Sequence, residues 1–221
     1  AMDVADNTIV RRDDGFMLTR PGGHGSLIQN VYDLPFDYVM IKNIDNIPHS
    51  HYHDERVFFQ NILLGVTFYV KSLLEKAASL EKNQLSQEFK LIIKELKYWF
   101  PNIDENNLSF LKQPLRVAGV VKNEGEPGGG HFWVKDNGME LLQILEKNQI
   151  SPDNIHVLEQ STHFNPVDMV VYKKNAYGES VQFEHMIDKR QYLLAEKNYM
   201  GRTIQVLERP GLWNGAMAYY N

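Results

Sequence analysis

Apolar positions along the chain fall into several short runs and two longer periodic stretches. Tyr38-Val39-Met40-Ile41 is apolar, preceded by Pro35 and closed by Lys42-Asn43, which predicts a short buried strand. From about Glu55 to Lys82, the residues Phe58, Ile62, Tyr69, Leu73 and Leu80 recur at helical spacing. One long helix is expected there, with Asp54 or a neighbour at its start. Ser86 is placed to cap a second helix, with Glu88 favourable in its first turn. Leu91, Ile92, Leu96 and Trp99 give that helix its apolar face, and Pro101 stops it. The first segment, to about Tyr32, is rich in Asp, Gly and Arg and reads as loop.

The character changes after Pro114. Arg116 to Lys122 reads as a strand leading into the Gly-rich stretch Asn123 to Gly130. Phe132-Trp133-Val134 looks extended, with a turn at Asp136-Asn137-Gly138. Glu140 to Lys147 has apolar residues at helical spacing and predicts a short helix. Met169 to Tyr172 and Thr203 to Leu207 complete the expected strands. Strands separated by helical or irregular connections indicate an α/β or α+β fold with a mixed sheet. No internal repeat is visible, so residues 1–221 read as a single domain with a helical insertion over 54–113.

Composition narrows this only a little. With 221 residues, 43% hydrophobic and 23% charged, the chain can bury a real core, and disorder, collagen and coiled coil are excluded for the whole. A net charge of -5 argues against a nucleic-acid partner. Cys is 0, which removes disulfides and Cys-ligated metal sites and fits a cytoplasmic setting. The longest greasy stretch, Val57 to Val70, is broken by Gln60, Asn61 and Gly65. It falls short of the ~20 apolar residues of a membrane span, so no membrane partner is expected. No signal peptide is visible, and Ala1-Met2 reads as a non-native start, so the chain is expected to begin inside a longer protein. Oligomeric state is not read from the sequence.

Six polar stretches can carry chemistry. In Arg20-Pro21-Gly22-Gly23-His24-Gly25-Ser26, three glycines let the backbone approach a ligand and aim amides at an anion, or simply form a tight turn. Asp45, flanked by Asn43 and Asn46 beyond the strand 38–41, suits an oxygen-seeking Mg²⁺, or closes an Asx-turn. Asp45 is expected at the C-terminal end of a central strand, close to the Gly22–Gly25 loop. His49, His51 and His53 would share one face if extended, which suits zinc. They read better as a loop entering the long helix. Lys122 to His131 joins a strand to a Gly-rich loop bearing Glu124, Glu126 and Gly129, as a sugar-hydroxyl clamp or a phosphate cradle. Asn165 and Asp168 can bond a polyol or shape a turn, and Glu208 precedes the Gly-containing turn that carries Asn214. Polar, Gly-rich loops after several strands predict one shared site on one sheet edge.

In this order the stretches resemble a bacterial family known as domain of unknown function 4301. The resemblance rests on Arg20-Pro-Gly-Gly-His-Gly, Ile41-Lys-Asn-Ile-Asp-Asn, Val121-Lys-Asn-Glu-Gly-Glu-Pro-Gly-Gly-Gly, His163-Phe-Asn-Pro-Val-Asp and Pro210-Gly-Leu-Trp-Asn-Gly-Ala. More distantly, Gly-His-Gly followed by a strand ending Asn-x-Asp-Asn is similar to UTP–hexose-1-phosphate uridylyltransferases. His163-Phe164-Asn165 resembles their sugar loop, and Gln205 to Glu208 a further segment of theirs.

That resemblance implies a nucleotide-diphospho-sugar transferase (GT-A)-like α/β fold, with a mixed, mainly parallel sheet flanked by helices. It implies Gly22, Gly23, His24 and Gly25 at the nucleotide, Asp45 at Mg²⁺, and Asn165 and Glu208 on the sugar side. The Gly-rich triphosphate loop of those enzymes has no counterpart before Gly22, and Pro166-Val167 replaces polar residues of the sugar loop. Two readings follow. One is a Mg²⁺-dependent transfer of a nucleotidyl group to a sugar phosphate, with Asp45, Lys122 and Glu208 at the chemistry. Asn43, Glu124, Glu126, Gly129, Asn165 and Asn214 then contact substrate. The other is a non-catalytic module that binds a nucleotide sugar or sugar phosphate.

Overall fold

The computed structural model describes residues 1–19, 24–44, 49–125, 129–136, 139–187, 190–209 and 211. In chain order the described elements are β1 (Met2–Asp3), α1 (Ile28–Asp33), β2 (Tyr38–Lys42), α2 (His53–Ser79), α3 (Gln87–Trp99), β3 (Leu115–Ala118) and β4 (Val121–Lys122). There follow β5 (Gly130–Asp136), β6 (Met139–Leu145), α4 (Ile155–Glu159), β7 (His163–Phe164), β8 (Asp168–Tyr172), β9 (Leu193–Tyr199) and β10 (Arg202–Glu208).

The two long helices form where the apolar period calls for them. Asp54 and Glu55 lie in the first turn of α2, and the Ser86 hydroxyl accepts the Phe89 N–H at 3.1 Å to cap α3. Phe100 leaves helical geometry just before Pro101, whose ring disfavours the α region in the residue before it. The pair folds back on itself: Tyr69 near the middle of α2 donates its hydroxyl hydrogen to Glu95 of α3 at 2.8 Å and meets the Trp99 ring edge-on. Val70, Leu73, Leu74 and Ala77 of α2 interdigitate with Phe89, Ile92, Ile93 and Leu96 of α3, and Leu115 and Tyr172 of the sheet close the same core. The segment 54–113 therefore carries most of the main core.

The start of α2 faces outward, with Val57, Phe58, Phe59 and Ile62 exposed. The helical stretch Ser50–Ser79 is long and apolar enough to cross a bilayer by length and composition, and 22% of its apolar window is buried.

The expected mainly parallel, GT-A-like sheet is not what the chain builds. Among the described residues every strand pair is antiparallel: β1-β10-β9, β2-β8-β3, β4-β7 and β5-β6. The reason lies in β8. Both β2 and β3 run antiparallel to it, so they run parallel to one another, as a strand–helix–strand crossover through α2 and α3 requires. The later strand β8 is inserted between them, and each parallel neighbour becomes an antiparallel one. For the same reason β2, expected to be central, is an edge strand.

A second correction concerns 140–147. This segment is strand β6, paired with β5 from Gly130↔Leu145 to Asp136↔Met139, where a short helix was expected. Asn-Gly between two apolar runs is a hairpin signal, and it outweighs a helical period only two turns long. Asn137 and Gly138 themselves lie outside the described residues. The strand expected over 116–122 is interrupted: β3 ends at Ala118 and β4 begins at Val121, pairing with β7 instead of β8.

Candidate functional site

The C-terminal ends of β2 and β3 meet the N-terminal end of β8, and three of the polar stretches converge there. The Lys42 ammonium contacts the Asp168 carboxylate at 2.9 Å, both side chains about four-fifths buried. One residue on, the Asn43 N–H donates to the Val167 carbonyl at 3.2 Å. The Gly119 N–H extends the β3–β8 ladder by donating to the Asp168 carbonyl at 2.8 Å. A carboxylate and an ammonium thus stand side by side where two strands end. Such a pair offers an acceptor for hydroxyl groups and a point charge for an anion.

Asn165 ties the loops around this pair together. It is 3% exposed. Its amide donates to the Gly119 carbonyl at 2.6 Å, its side-chain oxygen accepts the Val167 N–H at 3.0 Å, and its backbone N–H donates to the Gly129 carbonyl at 2.9 Å. The short side chain satisfies backbone groups that the end of a sheet would leave unpaired. Val167 adopts φ of 57° in this turn, strained for a β-branched residue and held by these bonds. Gly129 is needed for close approach, since a Cβ there would fall 2.9 Å from an Ile144 methyl group.

Glu146 stands just behind Gly129, within 3.4 Å of where that Cβ would be. Its side chain accepts from the Gln149 backbone, while the Gln149 side-chain oxygen accepts the Glu146 N–H at 3.0 Å. Burial holds its carboxyl pKa above the ordinary value of 4.5. A carboxyl raised in the folded state binds its proton more tightly there than in the unfolded chain. Glu146 therefore contributes stability at pH below 4.5, and that contribution falls as pH rises through its folded pKa. Glu146→Gln should be more stable than the parent at neutral pH, with the difference vanishing in acid. Urea denaturation of both proteins from pH 4 to 8 checks this, and a difference that grows in acid would contradict it.

Lys122 lies exposed on β4, paired with His163 of β7, and Glu124 is exposed just beyond it. The Asn123 N–H donates to the Thr162 carbonyl at 2.9 Å, and the Asn123 side chain accepts the Gly125 N–H at 2.8 Å. The Gly-rich loop thus starts beside the loop that carries Asn165.

A second grouping forms on another sheet. The Gly25 N–H donates to the Arg209 carbonyl at 2.9 Å, next to Glu208 at the half-buried end of β10. A Cβ on Gly25 would come within 2.5 Å of the Arg209 Cβ, so only glycine permits this contact. The Gly-His-Gly stretch and the end of β10, 184 positions apart, are therefore in direct contact. His24 starts a short 3₁₀ turn that leads into α1.

The three histidines are not extended. His49 precedes a 3₁₀ turn over Ser50–Tyr52, and its Nδ1 accepts the His51 N–H at 3.2 Å, while His53 opens α2 and contacts Arg56 at 3.0 Å. The alternation that would align three ring nitrogens is absent.

Gly22, Gly23, Asp45, Glu126 and Asn214 lie outside the described residues. Among the described residues no three His, Asp or Glu side chains converge as a metal-binding group, and Asp168 is engaged by Lys42.

Sequence reasoning does not select Glu146, because the segment that leads to it reads as a helix; the Asn137-Gly138 hairpin signal returns that segment along Gly130 and so brings Glu146 to Gly129.

No curated protein and no solved structure matches this chain. A family model matches all of residues 1–221, and the chain belongs to that family, described as Domain of unknown function (DUF4301).

Proposed function

We propose that this protein binds a phosphorylated sugar or nucleotide sugar at the sheet end formed by β2, β8 and β3. The observation that carries the reading is the Lys42–Asp168 pair, 2.9 Å apart, with the Asn43 and Asn165 segments bonded around it. A sugar phosphate asks for those two groups together. The carboxylate accepts from ring hydroxyls and the ammonium neutralises phosphate.

The Gly25–Arg209 contact favours a second, catalytic reading: nucleotidyl transfer to a sugar phosphate. It brings the backbone at Arg209, one residue past Glu208 at the end of β10, against Gly25 of the glycine-histidine stretch. Phosphoryl transfer depends on such positioned charge more than on proton transfer.

Calorimetric titration with glucose 1-phosphate and UDP-glucose, with and without Mg²⁺, tests the binding reading. Lys42→Met should weaken the phosphorylated ligands about tenfold, the equivalent of ~1.4 kcal/mol for a lost charge-assisted bond, and leave free glucose unaffected. No heat from either ligand would end the binding reading. Pyrophosphate release from UTP and hexose 1-phosphates tests the catalytic one, and turnover that survives Glu208→Gln undiminished would count against Glu208.

A further inference from the structure

Lys42 is matched by Asp168 at 2.9 Å, so that pair brings no net charge to offset an anion. Positive charge lies on the neighbouring strands. Lys122 of β4 stands opposite His163 of β7. On the far side of β7, the antiparallel bridge Gly129↔Asn165 aligns β5, and two residues on that register brings His131 opposite His163. Directly opposite residues of antiparallel strands share a face, so Lys122, His163 and His131 form one row across three strands. The two rings are close enough for the charge of His163 to act on His131. Lys122 and His163 are exposed and His131 is half-buried. The row borders Asn165 and Gly129, each two residues, roughly 7 Å, away along its strand.

Like charges set directly opposite one another repel, so this row is unfavourable in its protonated form unless an anion lies against it. Among the described residues no carboxylate is within ion-pair distance of Lys122, His163 or His131. Two acids are nearby. Glu124 is exposed two residues past Lys122, and Glu146 lies behind Gly129 with its carboxyl held by burial toward the neutral form. The helices α2 and α3 bring only Val66, Val70 and Trp99 to the hollow that His131 borders, and β6 brings Leu142, Gln143 and Ile144. The Thr162 hydroxyl bonds His163 Nδ1 at 2.9 Å, which leaves the Nε2 side of that ring for a ligand. Burial, and secondarily the charge of His163, hold the His131 pKa below 6.5. An anion against both rings supplies the counter-charge they lack, so its binding takes up protons and strengthens as pH falls through the histidine range.

We propose that the Lys122–His163–His131 row binds the phosphate portion of the ligand, with both rings in the imidazolium form. This deepens the sugar-phosphate reading and rests on it: the sugar hydroxyls lie toward Asp168 and the phosphate charge is met on β4, β7 and β5.

The probes are UDP-glucose, whose diphosphate keeps its charge between pH 5.5 and 8, and sodium sulfate, which carries charge without a sugar. Calorimetric titration of the full chain with UDP-glucose should give an affinity about tenfold higher at pH 5.5 than at pH 8, the scale of a gained charge-assisted hydrogen bond. His163→Gln keeps a donor but no titrating ring and should lose most of that difference. Lys122→Met should weaken binding at both pH values and keep the ratio. Ring NMR should show the pKa of both histidines rising in sulfate relative to chloride at equal ionic strength. Equal affinity at the two pH values, or an unchanged ratio in His163→Gln, would overturn the row and leave the sugar-phosphate reading standing. No heat from UDP-glucose at either pH would end that reading, and the sulfate titration then decides the row by itself: rising pKa values support it and fixed ones overturn it.

Discussion

Leu96→Ala should lower the unfolding free energy by about 3–5 kcal/mol, the range for a large-to-small change in a packed core. Leu96 is fully buried in α3 and packs among side chains from α2, α3 and the sheet. Those neighbours belong to three elements, which cannot all collapse into the space left behind, so the void persists and its surface loses dispersion contacts. Against a total stability of about 5–15 kcal/mol, such a loss is a substantial part of the whole. Urea denaturation gives the number. Leu85, 86% exposed beyond α2, serves as the contrast, and Leu85→Ala should change stability by no more than about 0.5 kcal/mol. Equal losses for the two variants would mean that the helix pair does not pack through this face.

Lys173→Met should cost about 2–4 kcal/mol, although it replaces a charge by an apolar group inside the protein. Lys173 is 8% exposed, one residue past β8. Its ammonium donates to the carbonyls of Val31 at 3.4 Å, Tyr32 at 2.8 Å and Leu34, all at the end of α1. A helix of six residues is not stable alone, and the last carbonyls of any helix lack internal partners. Lys173 supplies those partners and a cation at the negative end of the helix dipole. Methionine fills the volume and strands the carbonyls. The adjacent Lys174 pairs with Asp37 at 2.8 Å near the surface, so Lys174→Ala should lose about 0.5 kcal/mol or less. Thermal melts of the two variants side by side separate these cases, and a Lys173→Met protein as stable as the parent would refute the capping role.

Parts of the candidate site were legible because their chemistry is local. Asn43, Gly129, Asn165 and Glu208 lie in polar or Gly-rich stretches next to strands, and the first three do share one sheet end. Their roles were less legible. Asn165 was read as a ligand contact, and its side chain is bonded to the Gly119 and Val167 backbone. Which backbone groups an asparagine must satisfy depends on loops 46 positions away, and no local pattern carries that information. The pairing of Lys42 with Asp168, 126 positions apart, is of the same kind.

The sequence by itself determined the two long helices, α2 and α3, while the stretch to about Tyr32, read as loop, also holds most of α1. The hydrogen bonds of α2 and α3 run four residues along the chain, and the apolar period, the Ser86 cap and Pro101 are all within that reach. It also determined that 38–41, 169–172 and 203–207 are strands, through β-branched and aromatic runs bounded by turn residues. Tertiary structure alone decided which strands pair. A ladder joins residues with no sequence relation to one another, and the same apolar strand serves equally at an edge or in the centre. That is why β8 lies between β2 and β3 and the expected parallel sheet became antiparallel.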